Sequence, residues 1–172
     1  MQSFLSEYNI KYFYHFTDLA NYESIQKNGL LSLKLLKEKN ILVQKYNGTK
    51  LSHDLDNYLG ISDYVFLSFN KDHPMFYVAK KEQRITKPIW LKIDSRIILK
   101  NNVIFSDDIA NKRGVNYFNI EQIEEKLDCE VLFSRTNWKD PLIQRRLKSA
   151  RKSELMIPFS IEKNYILGYE NG

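Results

Sequence analysis

The run Ile10-Lys11-Tyr12-Phe13-Tyr14-His15-Phe16, followed at once by Thr17-Asp18, constrains this chain more than any other segment. Aromatic and β-branched residues suit a pleated strand. Alternation puts Phe13, His15 and Thr17 on one face and Tyr12, Tyr14 and Phe16 on the other. Asp18 is placed to cap a helix. Leu19, Tyr22 and Ile25 recur at helical spacing, and Gly29 is the stop. The opening therefore reads strand, tight turn, helix, with a histidine and a threonine delivered beside a helix start.

Further along, residues 63–69 are nearly continuous in apolar character and read as a central strand. Residues 89–93 form another strand and 103–105 a short one. Residues 154–158 and 165–169 close the chain as strands. Residues 34–40 read as a short helix and 41–60 as a loop-rich insertion. Asn119 and Gln122 make a capping-box start for a helix with Ile120, Ile123 and Leu127 on one face. Asp140-Pro141 starts another, whose inner stripe is Ile143, Leu147 and Ala150. Cys129 falls in an apparent helix-to-strand turn. Strands interleave with short helices, without a repeated βαβ rhythm or a glycine-rich phosphate loop. A doubly wound nucleotide fold is disfavoured, and one α+β domain over 1–172 is expected.

Composition narrows the function classes. Among 172 residues there are 10 Phe and 11 Tyr but only 6 Gly and 4 Pro, so the chain can build an ordered core. The one cysteine, Cys129, excludes an intramolecular disulfide and a Cys-based zinc cage, and favours a reducing, cytoplasmic setting. His15, His53 and His73 share no i, i+4 spacing, so no metal centre is expected. No run of 18 apolar residues exists for a membrane span, and Met1-Gln2-Ser3-Phe4-Leu5-Ser6-Glu7 lacks the features of a signal peptide. The net charge of +5, from 26 Lys and Arg against 21 Asp and Glu, permits a polyanionic partner without demanding one. That charge is local: residues 135–152 carry Arg135, Lys139, Arg145, Arg146, Lys148, Arg151 and Lys152 against one acid, Asp140.

Two residues carry candidate chemistry. His15 and Thr17, on one pleat face beside a helix start, can hydrogen-bond an amide or a ribose, and the helix N–H groups can meet an anion. The commoner role of a lone strand histidine is a buried ring bonded to a backbone carbonyl. Glu154 sits between the basic helix and an apolar strand. Beside that positive charge it is expected to stay ionised, able to stabilise a developing cation. A solvated acid balancing Arg151 and Lys152 is the plainer alternative.

Taken jointly, four blocks in order resemble the DarT-type toxins, NAD-dependent ADP-ribosyltransferases that modify a base in single-stranded DNA. The first is Tyr14-His15-Phe16-Thr17-Asp18-Leu19 with Ile25 and Gly29-Leu30-Leu31-Ser32. The second is Asp63-Tyr64-Val65-Phe66-Leu67-Ser68-Phe69 with Pro74-Met75-Phe76-Tyr77. The third is Val103-Ile104-Phe105-Ser106-Asp107 with Ala110-Asn111. The last runs from Arg145-Arg146 through Ala150 to Ser153-Glu154-Leu155-Met156-Ile157-Pro158. The match covers roughly residues 10–168.

The resemblance implies an ADP-ribosyltransferase-like α+β fold, with central mixed or antiparallel sheets flanked by short helices. It implies NAD as co-substrate, single-stranded DNA as acceptor and a macrodomain-type antitoxin as partner. Glu154 would be catalytic. His15 and Thr17 would hold the nicotinamide-side ribose and amide, with Asn21 and Tyr22 near the dinucleotide. Tyr64, Phe76 and Tyr77 would stack bases, while Arg145, Lys148 and Arg151 would track phosphates. The family's arginine-bearing segment before the second block is missing: residues 50–60 hold no arginine, only Lys50 and His53 as candidates. The same reaction on an RNA base, or a catalytically silent nucleic-acid-binding module, are the alternatives.

Overall fold

The strands form where the sequence alternates or runs apolar, and they assemble into a seven-stranded sheet. The computed structural model describes residues 2–172, with side chains from Phe4 onward; Met1, the first residue of the expected 1–172 domain, lies outside them. In chain order the strands are β1 (Tyr12–Asp18), β2 (Leu30–Leu31), β3 (Tyr64–Ser68), β4 (Pro88–Asp94), β5 (Ile104–Ser106), β6 (Tyr117–Phe118), β7 (Glu154–Pro158), β8 (Ser160–Ile161) and β9 (Ile166–Asn171). The helices are α1 (Gln2–Glu7), α2 (Tyr22–Asn28), α3 (Leu33–Glu38), α4 (Lys50–Tyr58), α5 (Pro74–Lys81), α6 (Ile123–Lys126), α7 (Cys129–Phe133) and α8 (Pro141–Ala150).

The large sheet has the order β6-β5-β7-β3-β1-β4-β9, and β2 pairs with β8 in a separate two-stranded ladder. Every ladder is antiparallel. The expected α+β class holds, and no parallel crossover unit is present among the described residues.

The ladders are not equally closed. β1 and β4 pair from Tyr12↔Asp94 to Asp18↔Pro88, and β3 and β7 from Tyr64↔Pro158 to Ser68↔Glu154. Between them, β1 and β3 pair only at Tyr14↔Ser68. Past that pair the two strands part, and the sheet has a notch in its middle.

Cross-strand register assigns the faces. Phe13, Leu67, Leu91, Phe105 and Leu155 lie on one face, in the main core beneath α1, α6 and α7. Tyr14 and Phe16 lie on the other, against Trp90 and Phe76 of α5. Farther along that second face, Met156 packs with Ile61 and Ala110.

Local signals account for most helix ends. Asp18 caps the turn Leu19–Asn21 by accepting from the Ala20 N–H, and Gly29 stops α2. Gly29 has φ of 79°, and a β-carbon there would lie 2.6 Å from the Ile161 carbonyl oxygen, so only glycine fits. The Asn119–Gln122 capping box is present, and α8 starts at Pro141 under an Asp140 cap.

Two expectations are corrected. The supposed loop at 41–60 contains α4, capped by Thr49, and Cys129 opens α7 instead of lying in a turn. In α4 the apolar residues Leu51, Leu55 and Tyr58 face solvent while Asp56 is buried. A search for an inward apolar stripe passes over such a helix.

Candidate active site

The notch between β1 and β3 opens into a cavity of about 220 Å³, walled by both strands, α4, the 41–48 loop and residues 109–111. His15 enters from the main-core face of β1. Glu154, the register partner of Ser68, enters from the opposite face. Because the ladder is open here, side chains from both faces of the sheet reach one cavity.

His15 is the residue at which the strands begin to part. Its Nδ1–H donates to the Phe66 carbonyl at 2.9 Å, across the gap that backbone pairing would otherwise fill. Burial lowers its pKa, so the ring is neutral and Nε2 is an acceptor. The residue therefore has the common structural bond of a strand histidine and lines the cavity as well.

Thr17 is buried, and its hydroxyl accepts from Asn21 Nδ2 at 3.0 Å. Asn21 Nδ2 also donates to the Lys45 carbonyl, and its Oδ1 accepts from the Gln44 and Lys45 N–H groups. Asn21 thus fastens the 41–48 loop to the turn after β1. Both Thr17 and Asn21 line the cavity; Tyr22 does not, and instead packs on Tyr169 at 4.6 Å.

The turn after β1 offers less to an anion than its sequence implies. Asp18 Oδ1 takes the Ala20 N–H, while Oδ2 takes the N–H groups of Thr86 and Lys87. Its own carboxylate fills the place an external phosphate would take.

Glu154 is, with Asp56, one of two largely covered acids of the cavity. Its neighbours Ser68 and Ser106 turn their hydroxyls to backbone carbonyls and leave it free. Oε2 accepts from the Ala110 N–H at 2.7 Å, and Oε1 lies 3.6 Å from His73 Nε2. Among the described residues no lysine or arginine pairs with it. Arg151 is held by Asp72, Arg146 by Asp128 and Glu130, and Lys152 lies 3.9 Å from Asp108. The expectation that nearby basic charge keeps Glu154 ionised is corrected: burial pushes its pKa up to about 8, opposed by the Ala110 N–H and aided by Asp56 and Asp108.

Other residues complete the site without having been given this role in the sequence. Asp56 Oδ1 accepts from Asn111 Nδ2 at 2.8 Å, and burial raises its pKa. Asn111 Nδ2 also donates to Ser52, so the loop that holds Glu154 is tied to α4. His73 is 1% exposed. Of the two candidates for the missing arginine, His53 lines the cavity and Lys50 does not. Lone polar residues on short elements give no periodic signal, so nothing pointed to Asp56, and His73 was weighed only as a metal ligand.

The proposed base-stacking set divides. Tyr64 lines the cavity, as does Met75. Phe76 is buried behind the sheet, 4.7 Å from Trp90, and Tyr77 donates its hydroxyl to Asp72 at the surface. On α8, Arg145 and Lys148 are exposed, while Arg151 is partly covered and paired with Asp72. Among the described residues, no three His, Cys, Asp or Glu side chains are grouped to hold a metal ion. No helix among them is long and apolar enough to cross a membrane.

The sequence that builds this cavity, with His15 and Glu154 in its lining, matches a known family. The family model described as DarT, ssDNA thymidine ADP-ribosyltransferase, matches residues 14–169. The chain belongs to the DarT family. Membership assigns it ADP-ribosyl transfer to single-stranded DNA.

Solved structures support the fold. DarT from Thermus sp. 2.9 in complex with ADP-ribosylated ssDNA superposes with a TM-score of 0.71 at 18% identity, over 94% of this chain and 81% of that one. The same protein in complex with NAD⁺ gives 0.62 at 17%, over 93% and 81%. DarTG from Thermosipho africanus in complex with ADP-ribose gives 0.64 at 16%, over 91% of this chain and 42% of that one. The chain thus spans less than half of the Thermosipho protein. No curated protein matches it in sequence.

Proposed function

We propose that this chain, as one catalytic domain over 1–172, transfers ADP-ribose from NAD⁺ to a thymine base of single-stranded DNA, with Glu154 as the catalytic carboxylate. The observation that carries the reading is the placement of Glu154: a buried carboxyl in the notch, with N–H groups directed at both of its oxygens.

Departure of nicotinamide takes the C–N bonding pair with it and leaves an oxocarbenium-like ribose. An ionised Glu154 beside that ribose stabilises the cation where it develops. In thymidine the sugar occupies N1, so N3 is the ring nitrogen that bears hydrogen. N3 forms the new bond to the ribose, and its proton passes to Glu154. The base, the sugar and nicotinamide account for every atom.

Burial favours the protonated form of Glu154, so the carboxyl must ionise to act. The positive nicotinamide ring and the cationic ribose both favour the charged carboxylate. His15 Nε2 accepts from the nicotinamide ribose or amide, Thr17 supports it, and Asn21 shapes the same end through the loop it holds. Tyr22 acts only through the packing of that helix. Tyr64 is the base-stacking candidate nearest the chemistry, with Phe76 and Tyr77 supporting from behind. Arg145 and Lys148, with Arg151 fixed by Asp72, track the acceptor's phosphates.

The modification of DNA bases makes this a toxin of the cytoplasm, paired with a macrodomain-type antitoxin that removes the ADP-ribose. Incubation with NAD⁺ and a thymidine-containing single-stranded oligonucleotide tests the reading by mass spectrometry. An adduct of one ADP-ribose is expected, absent with Glu154→Ala and with a thymidine-free strand. Equal labelling of an RNA strand would move the acceptor to RNA. NAD⁺ binding with no adduct on any strand would leave a silent binding module.

A further inference from the structure

Behind Glu154 lies a buried histidine with no assigned task. His73 caps α5: its Nδ1 accepts from the Met75 N–H at 3.3 Å. That bond assigns the ring hydrogen to Nε2. Nε2 is buried and completes no hydrogen bond of good geometry: the Lys152 carbonyl lies near enough to favour the ring hydrogen, and Glu154 Oε1 stands 3.6 Å away. A buried donor without a partner is costly and uncommon.

The surroundings hold the ring as a neutral donor. The Phe16 ring stacks on it at 6.2 Å. From α8 comes Arg151, already paired with Asp72; from the 107–116 loop comes Asp108, beside Lys112 and Lys152. Asp56 is the remaining acid that acts on Glu154. Burial outweighs the Lys152 carbonyl, the largest opposing influence, as well as these charges, and lowers the His73 pKa to about 4.

We infer that His73 is the positioning residue of Glu154: its Nε2–H closes on Oε1 when the carboxyl ionises, while the Ala110 N–H keeps Oε2. Both groups facing the carboxyl are donors. A protonated carboxyl would need an acceptor for its own hydrogen, whereas a carboxylate satisfies both donors at once. The pair is therefore built for the ionised state, which becomes populated when the cationic half of NAD⁺ arrives. This inference rests on Glu154 being the catalytic carboxylate.

Two substitutions separate the ring's two nitrogens. His73→Asn keeps a side-chain acceptor near the Nδ1 position for the α5 cap and removes the Nε2 donor. His73→Gln puts an amide N–H near the Nε2 position. Losing a donor to the charged form raises a carboxyl pKa. The acid limb of the transfer rate should then move up by about one pH unit in His73→Asn, a roughly tenfold loss at pH values below the limb, with KM for NAD⁺ little changed. His73→Gln should restore the limb. An unmoved limb in His73→Asn, or equal damage from both variants, overturns the inference.

Nitrogen-15 chemical shifts of His73 in the wild-type protein need no variant. They should report the Nε2–H tautomer, and the Nδ1–H tautomer would also overturn it. Should the wild type transfer nothing, the Glu154 reading falls, while the tautomer and a carbon-13 titration of Glu154 still decide whether the pair exists.

Discussion

Glu154 is held in a state that disfavours the fold at alkaline pH. Its carboxyl is raised from 4.5 to about 8 in the folded chain. Between those values the folded state keeps a proton that the unfolded state has released, so stability declines as pH rises through that window. At about 1.4 kcal/mol per tenfold change in proton affinity, the full cost reaches a few kcal/mol above pH 8. Glu154→Gln removes the titration while keeping the shape. Its melting temperature should exceed that of wild type by a margin that widens from pH 5 to pH 9, while transfer is lost; a margin independent of pH would count against the burial account. Such an exchange of stability for activity is usual where a charge must act in a dry site.

At the same scale, the places of His15 and Glu154 in the cavity lining were legible because Glu154 begins a strand after a basic helix and His15 lies in a strand shortly before the turn that Asp18 caps. Asp56 and His73 were not. One lies on the polar inside of α4, the other in a cap, and neither position leaves a pattern in the sequence.

The elements around the cavity differ in how firmly they are fixed. The strands are held by ladders; the 41–48 loop depends largely on one amide, Asn21, which makes four hydrogen bonds to Thr17, Gln44 and Lys45. Asn47 adds a bond to the Phe16 carbonyl. Asn21→Ala should cost roughly 2–3 kcal/mol through the backbone groups it leaves unpaired. Hydrogen exchange should accelerate across 41–48 and not in β1 or β4, and NAD⁺ affinity should fall. Uniform acceleration over the sheet would mean that Asn21 supports the core instead.

The elements also explain which expectations survived. Of the inner stripe of α8, Ala150 is buried and Ile143 and Leu147 are half-buried, while Arg146 reaches Asp128. Phe76 and Tyr22 were misplaced relative to the cavity because periodicity identifies a face and cannot say which side of a sheet that face meets.

For the molecule as a whole, the notch divides the sheet into β6-β5-β7-β3 and β1-β4-β9. The division was invisible in the sequence, since every strand beside it reads as an ordinary central strand. It arises from pairing between residues far apart in the chain. Despite the single β1–β3 pair, unfolding should be one cooperative event, with aromatic and backbone circular dichroism changing together on heating. Two separated transitions would mean that the halves are independent.

The chain passes from β1 to β3, back to β4, across again to β5 through β7, and returns to β9, four passages over one line. Neither half is a continuous piece of polypeptide, so no single cut yields a fragment that could fold as one bank of the notch. The two banks are stitched together like the edges of a seam. An inhibitor cannot pull them apart without unravelling the protein, and its remaining choices are to lodge in the slot or to erase what the enzyme has written.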